Sequence, residues 1–498
     1  MFKSIQNMFK QTAIYSLGNL SSKLIGLILL PLFTEYLTTA EYGILAILEA
    51  TSHIMIGVLA LNLPLAMLRW SSAEDDSRKM KSIIFTTIVS LALIIFVQLI
   101  FLLQSTDFFS QLLFGNKNYS DYFFFLFLVV AFGVYNGIPL NIIRINEKPV
   151  YFIIANTLKF TVILLLNFYF LVYLKQGVVG IIKSQLIGEI VLFIVTIPIV
   201  VKNIHFKFDV QVFKEMLQYG IPLIFSTVST FALSYADRYI IQYYLDSSRV
   251  GIYSLGYKIA SVLNMLVLQS FQLGFLPIAY KKLGASDEKR FFSKILTYYT
   301  FILVFIALGL SLFSKELIQL LAQKPEYYAA YSVVPIISLA FVIKGIQYTY
   351  ALSFHYAKKT IYVAAIIIIT ALINVGLNFL FIKEFGFMGA AFAMLISTFL
   401  MMILSYFFGK RIYRIPYENK KLIILIAAGI ILFFIGDLTN EINIFIRLIF
   451  KMILIISLPF VLHLFNFYEE AELRRVKNAW HKWKKPSRWK ENIKKIKL

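Results

Sequence analysis

Fourteen mostly apolar stretches of about 20 residues, separated by short loops, constrain this chain more than any other feature. They run over 12–36, 42–68, 82–104, 122–144, 150–173, 179–201, 217–245, 250–278, 291–314, 330–354, 361–383, 387–409, 421–437 and 443–463. At about 1.5 Å rise per residue, such a stretch matches the hydrocarbon thickness of a bilayer. Lipid offers backbone amides no partner, so each stretch is expected as a helix. The predicted fold class is an all-α membrane protein of about fourteen transmembrane helices. Composition agrees: 59% of residues are hydrophobic and 15% charged, where soluble domains carry about a quarter charged residues. The first stretch is too long for a signal-peptide core and no small-residue cleavage site follows it, so it reads as the first span.

Cysteine is absent, which removes disulfides, thiolate metal sites and cysteine nucleophiles. The five histidines (His53, His205, His355, His463 and His481) are scattered without metal-ligand spacing. No P-loop, dinucleotide-binding glycine pattern or catalytic triad is present. The sequence therefore predicts no catalytic residue, no metal and no cofactor.

The net charge of +22 could suggest nucleic acid, but its placement gives another reason. Most of the 48 Lys and Arg residues fall in one alternate set of loops and in the tail after Leu464. The other set holds only Lys117, Lys175, Arg249, Lys315, Lys324 and Lys383. Cytoplasmic loops are enriched in Lys and Arg, so both termini are expected in the cytoplasm and nucleic acid is not needed as a partner. The tail, basic and carrying Trp480, Trp483 and Trp489, has the composition of a helix lying on the anionic inner leaflet. A disordered basic tail is the alternative.

The chain also resembles itself. Tyr36-Leu37 matches Tyr244-Leu245, Gly43-Ile44 matches Gly251-Ile252, and Gln111-Leu112-Leu113 matches Gln319-Leu320-Leu321. Tyr119 matches Tyr327 and Gly137-Ile138 matches Gly345-Ile346 in the same register; Leu166-Asn167-Phe168 matches Leu377-Asn378-Phe379 after a small drift. Six spans per copy give both halves one orientation, related by a pseudo-two-fold along the membrane normal. The expected organisation is an N-terminal six-helix bundle (1–205), a C-terminal six-helix bundle (206–415), two further spans (416–463) and a basic cytoplasmic tail (464–498). The outer loops 107–119 and 315–328, each carrying Gln-Leu-Leu, are expected either as short helices gating the outer mouth or as ordinary connectors.

Charges at bilayer depth are costly and mark function. Lys23, Lys159 and Lys344 lie near the midplane of their spans, with Glu189 the nearest carboxylate in depth. They predict a water-filled cationic cavity, and Asn136, the repeat mate of Lys344, is expected on the facing wall. Asp237 with Arg238 or Lys258 reads as a structural ion pair. Lys183, Arg238 and Lys258 join the candidate cavity cations. Glu49, Glu189 and Asp237 are candidates for ion coupling or structural pairing. Arg447 and Lys451, near a span end, are expected to snorkel to the interface. An unpaired cationic lumen selects an anion, with Lys acting as a point-charge phosphate binder.

The stretch 14–50, with Gly18, Lys23, Gly26, Pro31, Thr34, Tyr36-Leu37 and Glu41-Tyr42-Gly43, resembles the polysaccharide transporters, the Wzx-type flippases of lipid-linked oligosaccharides. Asp237-Arg238-Tyr239-Ile240 and Gly251-Ile252-Tyr253-Ser254 resemble the same family. The resemblance implies the multidrug/oligosaccharidyl-lipid/polysaccharide (MOP) exporter superfamily and a V-shaped pair of bundles around a central cavity. It implies a substrate of undecaprenyl pyrophosphate carrying a short glycan, such as an O-antigen or capsule repeat unit, moved to the periplasmic leaflet of a bacterial inner membrane. Membrane lipids, polysaccharide polymerase and chain-length proteins are the implied partners. A drug/cation antiporter of the same superfamily would need acidic cavity walls. A major-facilitator transporter would need a Gly- and Arg-rich motif that 69–81 lacks. A membrane polymerase or ligase would need a large outer loop for its chemistry.

Overall fold

The computed structural model describes residues 26–470 and 472–474; Lys23 and the tail tryptophans lie outside them. Among the described residues the secondary structure is helical throughout. Thirteen helices are long and apolar enough to cross a membrane, and a shorter apolar segment, Gly26–Tyr36, precedes them. We number the helices α1 (Leu30–Tyr36), α2 (Thr39–Leu59), α3 (Leu63–Ser72), α4 (Ser77–Gln104), α5 (Thr106–Phe114) and α6 (Ser120–Ile145). There follow α7 (Pro149–Phe168), α8 (Gly177–Lys202), α9 (Val210–Tyr244), α10 (Ser247–Leu263), α11 (Gln269–Lys282) and α12 (Glu288–Leu312). The last six are α13 (Ser314–Leu321), α14 (Val334–Tyr356), α15 (Ile361–Phe385), α16 (Phe387–Ile412), α17 (Asn419–Asp437) and α18 (Ile444–Leu464). Large apolar side chains such as Phe96, Phe101, Phe225, Leu372 and Phe460 stay exposed on the outside of the bundle, where a bilayer would solvate them.

The stretch read as one span over 42–68 is broken. Leu61 and Asn62 adopt positive φ of 49° and 53°, and Pro64 restarts the chain as α3. Proline near a helix start costs nothing because its missing N–H would be unpaired there.

The two copies of the repeat meet at one end of the bundle, the end whose loops are poor in Lys and Arg. Thr38 caps α2 through Glu41, and its repeat mate Asp246 caps α10 through the Arg249 amide. Beyond these matched caps the helices cross backbone to backbone. A Cβ on Gly43 would lie 1.7 Å from the Ser247 carbonyl oxygen, and one on Gly251 would lie 2.0 Å from the Thr39 carbonyl oxygen. The contact is reciprocal between repeat mates, as a pseudo-two-fold requires. Thr39 and Ser248 close it with a 2.7 Å hydroxyl contact.

Of the two Gln-Leu-Leu loops, 315–328 supplies a clamp across the halves. α13 and the 3₁₀ turn Pro325–Val333 hold the α1–α2 turn. Thr34 Oγ1 donates to the Leu321 carbonyl (3.1 Å), Lys324 Nζ to Leu37 O (3.0 Å), and the Tyr327 hydroxyl to Thr38 O (2.9 Å). α5 instead packs on α6 in its own half, with Phe109 against Phe123 and Phe127.

Arg447 and Lys451 do not snorkel. Both are buried on α18 and meet Glu316 of α13: Arg447 Nε at 2.7 Å and Lys451 Nζ at 2.8 Å. Lys451 also donates to Asn440 Oδ1 at 2.8 Å. A half-buried carboxylate within reach of two buried cations satisfies them better than a stretch to the interface. Glu316→Gln is expected to cost about 3–5 kcal/mol, because it strands buried charge. Glu441→Gln, which removes an exposed partner of Lys315 (Glu441 side chain 91% exposed), is expected to cost under about 1 kcal/mol. Thermal unfolding of both variants in detergent is the check; equal shifts would show that Glu316 is not an anchor.

Candidate functional site: a cavity between the halves

On the side of the Gly43–Gly251 contact facing the basic loops, the halves enclose a cavity of about 570 Å³. Its walls are polar stripes at helical spacing. From α2 come Glu49, Ser52, His53 and Ile56, one helix face; from α7, Lys159, Ile163 and Asn167; from α8, Gln185 and Glu189. The opposite wall brings Ser234 and Tyr235 of α9, Tyr257, Lys258 and Ser261 of α10, and Lys344 of α14. Side chains three and four residues apart share a helix face, so each stripe points one way.

The predicted cations divide by their partners. Lys159 is not unpaired: its ammonium is hydrogen-bonded to Glu189 Oε1. Asn136 Nδ2 holds the other carboxylate oxygen at 2.7 Å and the Glu189 carbonyl at 3.0 Å. Asn136 is therefore buried behind Glu189 rather than facing Lys344 across the cavity. The pairing follows from close packing of α7 on α8, where Gly188 leaves room for Ile163.

Lys258 does not pair with Asp237. Its ammonium instead reaches across the halves to lie over the Phe33 ring, 6.0 Å from the centroid, on the side of Tyr42 and Glu49. Asp237 accepts from Arg238 Nη1 at 2.7 Å and from the Tyr253 hydroxyl at 2.5 Å. Arg238 is buried behind the wall, its guanidinium 4.4 Å from the Tyr257 ring centroid and 5.3 Å from that of Tyr235. Asp237 and Arg238 thus brace the tyrosines that face the cavity. Lys183 lies away from it, bonded to Gln176 Oε1 at 3.1 Å and over the Phe125 ring. Lys344 is half-buried, lines the cavity, and has no charged partner among the described residues.

Glu49 lines the cavity near Gln185, whose Nε2 lies 3.4 Å from its Oε1. His53 places Nδ1 2.6 Å from the Glu49 carbonyl oxygen and stacks on Tyr235 at 5.8 Å. His53, Tyr235, Tyr257 and Gln185 were not among the sequence candidates. The signal that could have found them is the polar stripe, since His53 lies four residues after Glu49 and Gln185 four before Glu189.

The walls differ in charge. Among the described lining residues the C-terminal half contributes Lys258 and Lys344 and no carboxylate, whereas the N-terminal half contributes Lys159, Glu189 and Glu49. An anion entering here meets two cations whose own half offers them no counter-ion. Tyrosine and histidine rings beside them present flat apolar faces and polar edges.

Residues 8–281 match the family described as polysaccharide biosynthesis protein, and residues 222–380 match the MatE family. CapF, a capsular polysaccharide biosynthesis protein of Staphylococcus aureus, is 28% identical over 217 residues, 42% of this chain and 54% of that protein. Lsg locus putative protein 1 of Haemophilus influenzae is 22% identical over 55% of this chain and 67% of its own length. The chain thus spans between about half and two thirds of the curated relatives it matches. The fold is shared with the lipid II flippase MurJ in an inward closed conformation (TM-score 0.72, 17% identity, 92% of this chain and 100% of that one). It is also shared with an inward-facing MATE multidrug transporter of the MOP superfamily (TM-score 0.63, 15% identity, 80% and 94%). With a family match over more than half of its length and the fold of MOP-superfamily carriers, this multi-pass membrane chain belongs to the polysaccharide biosynthesis protein family.

Proposed function

We propose that the protein is a flippase that carries an undecaprenyl-pyrophosphate-linked oligosaccharide from the cytoplasmic to the outer leaflet of a bacterial inner membrane. The observation that carries this reading is the pair Lys258 and Lys344, two cavity cations on a wall whose described residues include no carboxylate. They receive the phosphates, the aromatic and amide side chains receive sugar, and the lipid tail stays in the bilayer. Basic loops mark the cytoplasmic side, so the cavity lies inward of the Gly43–Gly251 closure. Rocking of the halves opens that closure and shuts the other side. No bond in the substrate is made or broken.

The relatives support the glycan class: CapF is named for capsular polysaccharide biosynthesis and MurJ for flipping lipid II. The test is reconstitution in vesicles with a fluorescent short-chain polyprenyl-diphosphate oligosaccharide, scoring its protection from a membrane-impermeant quencher. Protein-dependent transfer, with no transport of a lipophilic organic cation, is the expected result. Cation transport without lipid transfer would mark a drug antiporter; glycan elongation in the vesicles would mark a polymerase. Either would overturn the proposal.

A further inference from the structure

The Lys159–Glu189 pair sits inside the cavity rather than behind its wall. Both side chains line it, with 15% and 13% of their surfaces exposed. A phosphate in the cavity therefore has access to Lys159, and the carboxylate already there is its competitor. The pair is also built asymmetrically. Glu189 is fixed to α6 by Asn136, which grips both its carboxylate and its backbone carbonyl. The Asn136 side-chain oxygen is buried with no partner among the described residues, so what this amide does in the fold is hold Glu189. Lys159, by contrast, reaches Glu189 on a flexible four-carbon stem from α7.

We propose that Glu189 is a resident counter-ion that competes with the substrate phosphate for Lys159 and so drives release, an inference that rests on the flippase reading above. Lys258 and Lys344 capture the phosphate. Lys159 leaves Glu189 to join them, and returns to Glu189 when the site faces the other leaflet. A carrier must let go as readily as it binds, and an anion permanently tethered beside the site prevents the phosphate from being held too well. Glu189 acts through Lys159, and is a positioning residue.

Binding and flipping of a fluorescent short-chain polyprenyl diphosphate separate these roles. In Glu189→Gln the competitor is gone, and affinity is expected to rise about tenfold while turnover at saturation falls by a similar factor. In Lys159→Gln the unpaired carboxylate faces the phosphate and affinity is expected to fall at least tenfold. Adding Glu189→Gln to Lys159→Gln is expected to restore most of it. All binding is scored per folded protein by size-exclusion chromatography, and the double variant, which leaves no lone charge, carries the test where a single variant does not fold. Unchanged or weaker binding in Glu189→Gln, or no recovery in the double variant, would reduce the pair to a structural salt bridge. If the wild-type protein does not bind the diphosphate, the flippase reading itself falls; if it binds and only the Glu189 effects are missing, that reading stands and this inference fails.

Discussion

Lys258→Gln/Lys344→Gln is expected to lose flipping by a factor of a hundred or more while the protein still reaches the membrane and unfolds at a similar temperature. Each charge-assisted hydrogen bond to a phosphate contributes roughly 1.5–3 kcal/mol. Two of them span about two to four powers of ten in affinity. Folding should not suffer, because Lys344 has no charged partner among the described residues to strand. Lys258 leaves behind only a tyrosine hydroxyl and a cavity-facing Glu49. Lys183→Gln is the control, lying outside the cavity. The measurement is vesicle flipping beside a thermal melt; flipping within a few-fold of wild type in the double variant would remove the phosphate site from this wall.

Gly251→Ala should be as damaging by a different route. The added methyl carbon would stand 2.0 Å from the Thr39 carbonyl oxygen and 3.0 Å from the Gly43 amide nitrogen. Both are backbone atoms, which cannot swing aside as the end of a flexible side chain can. Overpacking of this kind costs about 1–3 kcal/mol, all of it charged to the state in which α2 and α10 touch. A cost at the upper end shifts the balance between closed and parted states by about a hundredfold. The chain has no cysteine, so a single Thr39→Cys reports without background. This site is buried in the closed state and should react with a membrane-impermeant maleimide far faster once Gly251→Ala is added. Equal labelling rates would show that the crossing tolerates a methyl group and does not set the closed state.

The spans were legible because hydropathy is a property of the chain alone: most of the long helices from α4 onward coincide with the apolar stretches to within a few residues, although α9 begins seven residues earlier than its stretch and 250–278 is divided between α10 and α11. The break at Leu61 and Asn62 was not, since its signal is backbone conformation inside a stretch that stays apolar. The cavity cations divide in the same way. Lys344 and Lys159 could be placed by counting residues from span ends. Whether Lys159 finds Glu189 depends on how closely α7 approaches α8, which Gly188 permits and depth alone does not reveal. Arg447 and Lys451 illustrate the converse, because their carboxylate comes from α13, a short amphipathic helix that no span search detects. Asp237 chose its chain neighbour Arg238 and Tyr253 over Lys258, an outcome decided by side-chain direction.

α9 belongs to both halves at once. Near its start, Glu215 accepts from the Trp70 indole and the Gly220 carbonyl accepts from Asn62, both of the N-terminal half. Near its end, Tyr244 packs edge-on against Phe379 of α15. Pro222 sits between these attachments, where the missing amide hydrogen bond makes a helix bend most easily. The two bundles therefore cannot tilt past each other as free bodies. In the rocking proposed above, each stroke would flex this strut, whose curvature would limit how wide either mouth gapes and draw the molecule back from its extremes.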